Sequence, residues 1–90
     1  MSNLVIDGAT VDCPAATPLV DEMIERYVAW REECTAVTAG YGRWSTAVRA
    51  ERALGFAAYS AALDREGCAA ERYAASVKRL RQFLWPDVAV

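Results

Sequence analysis

The feature that most constrains this chain is the regular spacing of its apolar residues. Between residues 20 and 44 they recur at alternating intervals of three and four, at Val20, Met23, Tyr27, Trp30, Cys34, Val37, Tyr41 and Trp44. The spacing returns further on, with one polar member, at Phe56, Tyr59, Leu63, Glu66, Ala70, Tyr73, Val77, Leu80 and Leu84. Such spacing brings side chains to one side of an α-helix. The chain is therefore predicted to be all-α, with two long helices.

The ends of the two helices are marked by capping and breaking residues. Thr17 suits an N-cap, Pro18 suits the first helical position, and Pro86 ends the second helix. The predicted helices span about 18–44 and 48–84.

The segment between the stripes contains two glycines and a Ser-Thr pair. The first stripe keeps its phase through Gly40 and Gly42, so the helix is expected to continue past both. Ser45 and Thr46 can cap a new helix, which places the turn within residues 45–48. No sequence repeat is evident beyond the two helices.

A connection this short makes the two helices antiparallel neighbours in a hairpin. The numbers of facing residues should then add up to about 97. Trp30 would face Glu66 and Gly67, with Gly67 leaving room for the indole. Glu66 would either accept the indole N–H or stay solvated. The acidic start of the first helix would lie beside the basic end of the second, at Lys78, Arg79 and Arg81.

A bare hairpin cannot bury all of its apolar surface. A second apolar stripe lies on the second helix, and two further apolar residues lie beside the first stripe. Together they predict an interaction surface of Leu54, Ala58, Ala61, Cys68, Ile24 and Val28. A second copy of the chain is the simplest cover, so we expect a homodimer built as a four-helix bundle.

Residues 1–16 differ in character from the helical hairpin domain, residues 17–90. Asp7 and Gly8 favour a tight turn between two short β-type runs. An arm of this length is marginal by itself. It is expected either to stay extended or to form a β-hairpin paired with another chain or with the residues at the C-terminal end.

Charge and residue types argue against several classes of function. The net charge is −2 and histidine is absent, so nucleic acid is a poor partner and no catalytic, cofactor-binding or metal-ligating residues are predicted. The basic patch of Lys78, Arg79 and Arg81 is expected to be a solvated helix end, with an acidic partner or nucleic acid as the alternative. Three cysteines without C-x-x-C spacing, and no secretory or membrane-spanning pattern, favour the cytoplasm.

Residues 51–74, with residues 27–37, resemble small Ala/Arg-rich two-helix proteins of actinobacteria and their phages. The resemblance lies in composition and helix pattern, covers about half of the chain and implies no catalytic residues. Secreted W-x-G helical hairpins are similar in length and architecture. Here, however, the order is Gly42-Arg43-Trp44, and Tyr73 is followed four residues later by Val77 instead of an acidic residue.

Two classes of function remain. The first is a non-enzymatic protein–protein interaction module, a small dimeric helical scaffold or adaptor with an unidentified protein partner. The second is a small regulatory factor of the antitoxin or phage host-modulator type.

Overall fold

The computed structural model describes residues 14–86 and shows two long helices packed as an antiparallel hairpin. Residues 14–86 contain no strand. The elements in chain order are a 3-10 turn at Pro14–Ala16, helix α1 at Thr17–Thr46, a second 3-10 turn at Arg49–Glu51, and helix α2 at Arg52–Leu84. The all-α class and the hairpin predicted from the spacing are confirmed.

The predicted N-terminal arm falls almost entirely on residues 1–13, which lie outside the described residues, as do residues 87–90. Its extended or β-hairpin form stays a prediction. The last part of that segment, Pro14–Ala16, forms a turn that packs against α2 and leaves Ala16 completely buried. Ala16, and not Thr17 as predicted, is the N-cap of α1, and no side chain caps this end.

Helix α1 runs through Gly40 and Gly42 with ordinary helical dihedrals, as predicted. The start of α2, in contrast, was predicted about four residues too early. The hydroxyls of Ser45 and Thr46 donate to the Gly42 carbonyl at 3.1 and 2.8 Å, so they complete the end of α1 instead of capping α2. Ala47 and Val48 are extended, and the 3-10 turn precedes α2.

The residues between the helices, which we call the seam, follow the predicted alternation of three and four. On α1 they are Met23, Arg26, Trp30, Glu33, Val37, Gly40 and Trp44, all buried or half-buried. On α2 they are Gly55, Tyr59, Ala62, Glu66, Ala69, Tyr73, Ser76 and Leu80, also buried or half-buried. The predicted stripes were half right, because every second member belongs to a neighbouring row on the helix surface.

Small residues explain why the seam differs from the predicted stripes. On α2 the seam contains a row of residues seven apart that are all small, Gly55, Ala62, Ala69 and Ser76. Ala62 and Ala69 are 3% and 8% exposed, and Ser76 is 1% exposed. Small side chains let the helix backbones approach closely, and large residues from the other seam rows fill the remaining space.

The two backbones approach each other closely near the connection. A Cβ on Gly55 would lie 3.3 Å from the Cα of Trp44, and a Cβ on Gly40 would lie 3.5 Å from the Cα of Tyr59. The proposed role of Gly67 as a space for Trp30 is wrong, because a Cβ at Gly67 would meet nothing within 4 Å.

Alanine substitution should change stability differently at Gly67 and at Gly55. Gly67→Ala is expected to stabilise the protein by about 0.5–1 kcal/mol, since it removes the helix-propensity cost of glycine without a clash. Gly55→Ala should gain less, because its methyl group must displace the α1 backbone. Urea unfolding of both variants measures the difference. A loss of stability in Gly67→Ala would mean that the space beside Gly67 is filled after all.

Candidate interaction surfaces

Two aromatic clusters of the same geometry hold the hairpin together. In the first, Trp30 stacks on Tyr73 with ring centroids 5.7 Å apart and an interplanar angle of 7°, and Tyr27 packs against both rings. In the second, Trp44 stacks on Tyr59 at 5.5 Å and 13°, and Tyr41 packs against both rings. Aromatic pairs in these arrangements are favourable beyond the area they bury.

The two clusters are related by a displacement of fourteen residues, forward on α1 and backward on α2. The sequence signal is the motif Tyr-x-x-Trp, which occurs at residues 27–30 and again at residues 41–44. No repeat was predicted within the helices, and this short motif is the sequence signal for it.

One side of the hairpin carries the residues left out of the seam, and we call it the aromatic face. Its members are Val20, Tyr27, Cys34 and Tyr41 on α1, and Phe56, Leu63, Ala70, Val77 and Leu84 on α2. The two rows lie on the same side of the hairpin. The ring centroids of Tyr41 and Tyr59 are 5.6 Å apart, and those of Trp44 and Phe56 are 5.2 Å apart. Large side chains on this face are far from buried: Tyr27 is 44% exposed, Tyr41 52%, Phe56 49% and Leu63 41%.

The opposite side of the hairpin is charged. Arg79 pairs with Glu22, and the Nε of Arg65 lies 3.3 Å from a Glu33 carboxylate oxygen. The hydrogen bond from Arg79 holds the pKa of Glu22 below its usual range. The stabilisation from this pair is therefore present above the ordinary carboxyl pKa and is lost as the pH falls through the lowered one. Exposed pairs of this kind contribute little energy, but they fix which side of each helix faces the other.

A half-buried hydrogen bond joins the two helices at the first cluster. The indole Nε1–H of Trp30 donates to Oε2 of Glu66 at 2.7 Å. Of the two alternatives for Glu66, the structure shows the one in which it accepts the indole proton. The polar member of the predicted stripe is thus a partner for tryptophan.

The predicted interaction surface does not form one continuous area. Ile24 lines a groove of about 260 Å³ with Met23, Tyr27 and Tyr73, beside the aromatic face. Val28 lies one helical turn further along the same edge of α1 and is 48% exposed.

The other members of that predicted surface lie along α2. Leu54, which is 75% exposed, and Ala58 line a groove near the connection with Arg43. Ala61 is exposed, and Cys68 lines a groove of about 370 Å³ on the charged side with Arg65 and Arg72. These four residues and the two on α1 therefore belong to different sides of the hairpin.

The predicted basic patch is also divided. Lys78, Arg79 and Arg81 are all exposed and point in different directions around α2. Arg79 is engaged with Glu22, which confirms the predicted meeting of the acidic start of α1 with the basic end of α2.

The two cysteines among the described residues are free thiols in different settings. Cys34 is half-buried on the aromatic face. Cys68 is exposed, because its row lies on the outer edge of α2.

Within residues 14–86 no three acidic or thiol side chains converge on a point that could hold a metal ion. In the same part of the chain, neither helix combines the length and apolar character needed to cross a membrane.

Comparison with protein-family models, curated proteins and solved structures finds no match for this chain.

Proposed function

We propose that this chain is a non-enzymatic protein–protein interaction module that works as a homodimer, a small helical scaffold. Its free thiols suit the reducing conditions of the cytoplasm, where we place it.

The observation that carries this proposal is the aromatic face. It concentrates exposed tyrosine, phenylalanine and leucine side chains on one side of a hairpin whose other side is charged. Continuous apolar area of this kind is uncommon on a protein that works alone and is typical of association surfaces. A two-helix layer also has little interior of its own, so a further layer adds substantially to the buried area.

Sedimentation equilibrium at about 10 µM should therefore give about twice the chain mass of 9.9 kDa. Leu63→Glu should shift the protein to a monomer, because it places a charge in the buried centre of the interface. Leu54→Glu is the matched control on the same helix and should remain a dimer. A monomeric wild-type chain would contradict the proposal. Dissociation by Leu54→Glu, but not by Leu63→Glu, would place the interface on the surface predicted from the sequence.

A further inference from the structure

We infer that the second copy packs on the aromatic face in an antiparallel orientation, about a two-fold axis that crosses α1 at Cys34. This inference rests on the proposed homodimer. The two α1 helices then lie against each other, and the two connections lie at opposite ends of the dimer.

The repeated clusters are the first argument for this axis. Tyr27 and Tyr41 lie in the same row of α1, each seven residues from Cys34. A two-fold axis at Cys34 exchanges the two positions, so Tyr27 meets the partner's Tyr41 at both ends of the interface. Tyr27 and Tyr41 are also held alike, with ring centroids 5.4 Å from Tyr73 and 5.6 Å from Tyr59, so the rotation exchanges two similarly placed side chains.

Helix α2 is consistent with the same axis. Cys34 lies level with residues 64 and 65, since Glu33 pairs with Arg65 and Gly40 lies against Tyr59. The axis therefore passes between Leu63 and Ala70, about 3 Å from the midpoint between them. It places Leu63 within about one helical turn of the partner's Ala70, and Phe56 within about one helical turn of the partner's Val77. Large residues meet smaller ones, as close packing of facing layers requires.

The area is sufficient for a stable complex. Two helices about 45 Å long, side by side, present a face about 20 Å wide, or about 900 Å² for each copy. Stable interfaces bury about 800 Å² for each partner. A second copy of this chain therefore meets the requirement with the aromatic face alone.

Charge selects between the two possible orientations. The connection end of the hairpin carries Arg43, Arg49 and Arg52 but only one acidic residue, Glu51, among residues 43–52. An axis parallel to the helices would bring two such basic ends together. The axis across the helices instead places each basic end beside the partner's open end, where the acidic start of α1 largely offsets the basic end of α2. Avoiding the contact between two basic ends sets orientation more than affinity.

Cysteine cross-linking with a short bismaleimide tests this arrangement in the full chain. With Cys13→Ser and Cys68→Ser, the remaining Cys34 should link the two copies and give a dimer band on a denaturing gel. In a chain with all three cysteines replaced by serine, Val77→Cys alone should not cross-link, because the two Val77 positions are about 35 Å apart along the helices. A mixture of this variant with a Phe56→Cys variant should cross-link.

The outcomes separate the two proposals. Self-linking of Val77→Cys would show the parallel axis and overturn the antiparallel orientation. A dimer in sedimentation that Cys34 does not link would place the interface on another face. A monomer in sedimentation would mean that residues 1–13 cover the aromatic face or that it stays open, and both proposals would fail.

Discussion

Replacing Trp30 by alanine should lower the free energy of unfolding by about 2–4 kcal/mol. The indole stacks on Tyr73, packs against Tyr27 and donates its N–H to Glu66. Alanine removes all three contacts, opens a space between the helices and leaves a half-buried carboxylate without its donor. The expected loss is below that of a fully enclosed tryptophan because Trp30 is half-buried. Urea unfolding at one fixed protein concentration measures it, since association adds to apparent stability.

Two further tryptophan variants separate the causes. Trp30→Phe retains a ring for stacking and loses the donor, so about 1–2 kcal/mol should be lost. Trp85→Ala removes a residue that is 58% exposed beyond the end of α2, and it should change stability by no more than about 0.5 kcal/mol. If Trp30→Ala were no worse than Trp85→Ala, the cluster would not hold the hairpin together.

The period of the apolar residues was enough to predict the helices, but it did not fix which residues lie between them. Tyr59 and Tyr73 were assigned correctly, whereas Leu63 was placed in a seam that Ala62 occupies. Hydrophobicity favours the larger side chain for burial. Two helices in close contact instead favour a small residue where the backbones approach. A neighbouring row on the helix can supply small residues with the same alternation of three and four.

The connection was misplaced for a local reason. Ser45 and Thr46 have side chains that can bond forward to a new helix or back to the preceding turn. The sequence leaves both choices open, and the carbonyl of Gly42 takes both hydroxyls. The second helix therefore begins later, at Arg52, and the facing residues shift by about two from the predicted pairing.

The existence of an apolar association surface could be predicted from the sequence, but the residues that form it could not. The excess of apolar residues over what one hairpin can bury was evident from the two stripes, and it led to the expectation of a second copy. Which of those residues stay exposed depends on the phase of the seam. Because Ala62 and Ala69 lie in the seam, Phe56, Leu63 and Val77 lie on the aromatic face. Leu54 and Cys68 lie on other sides of the hairpin.

A leucine at position 69 tests this phase directly. Ala69 is 8% exposed and belongs to the small-residue row of α2. Ala69→Leu must push α1 away along part of its length, which weakens the stacking of Trp30 on Tyr73 as well as the local packing. We expect a loss of about 1–3 kcal/mol, the usual cost of overpacking a closely packed position, measured by urea unfolding.

Ala75→Leu is the matched control, because Ala75 is exposed on the outer edge of the same helix. It makes the same chemical change away from α1 and should alter stability by no more than about 0.5 kcal/mol. Ala70→Leu adds a third position, one residue from Ala69 but on the aromatic face. It should leave the hairpin folded and act on the dimer instead, since Ala70 lies in the proposed interface, near the partner's Leu63. If Ala70→Leu were the variant that unfolds the hairpin and Ala69→Leu were tolerated, the seam would follow the phase predicted from hydrophobicity, and the aromatic face would not exist as a separate surface.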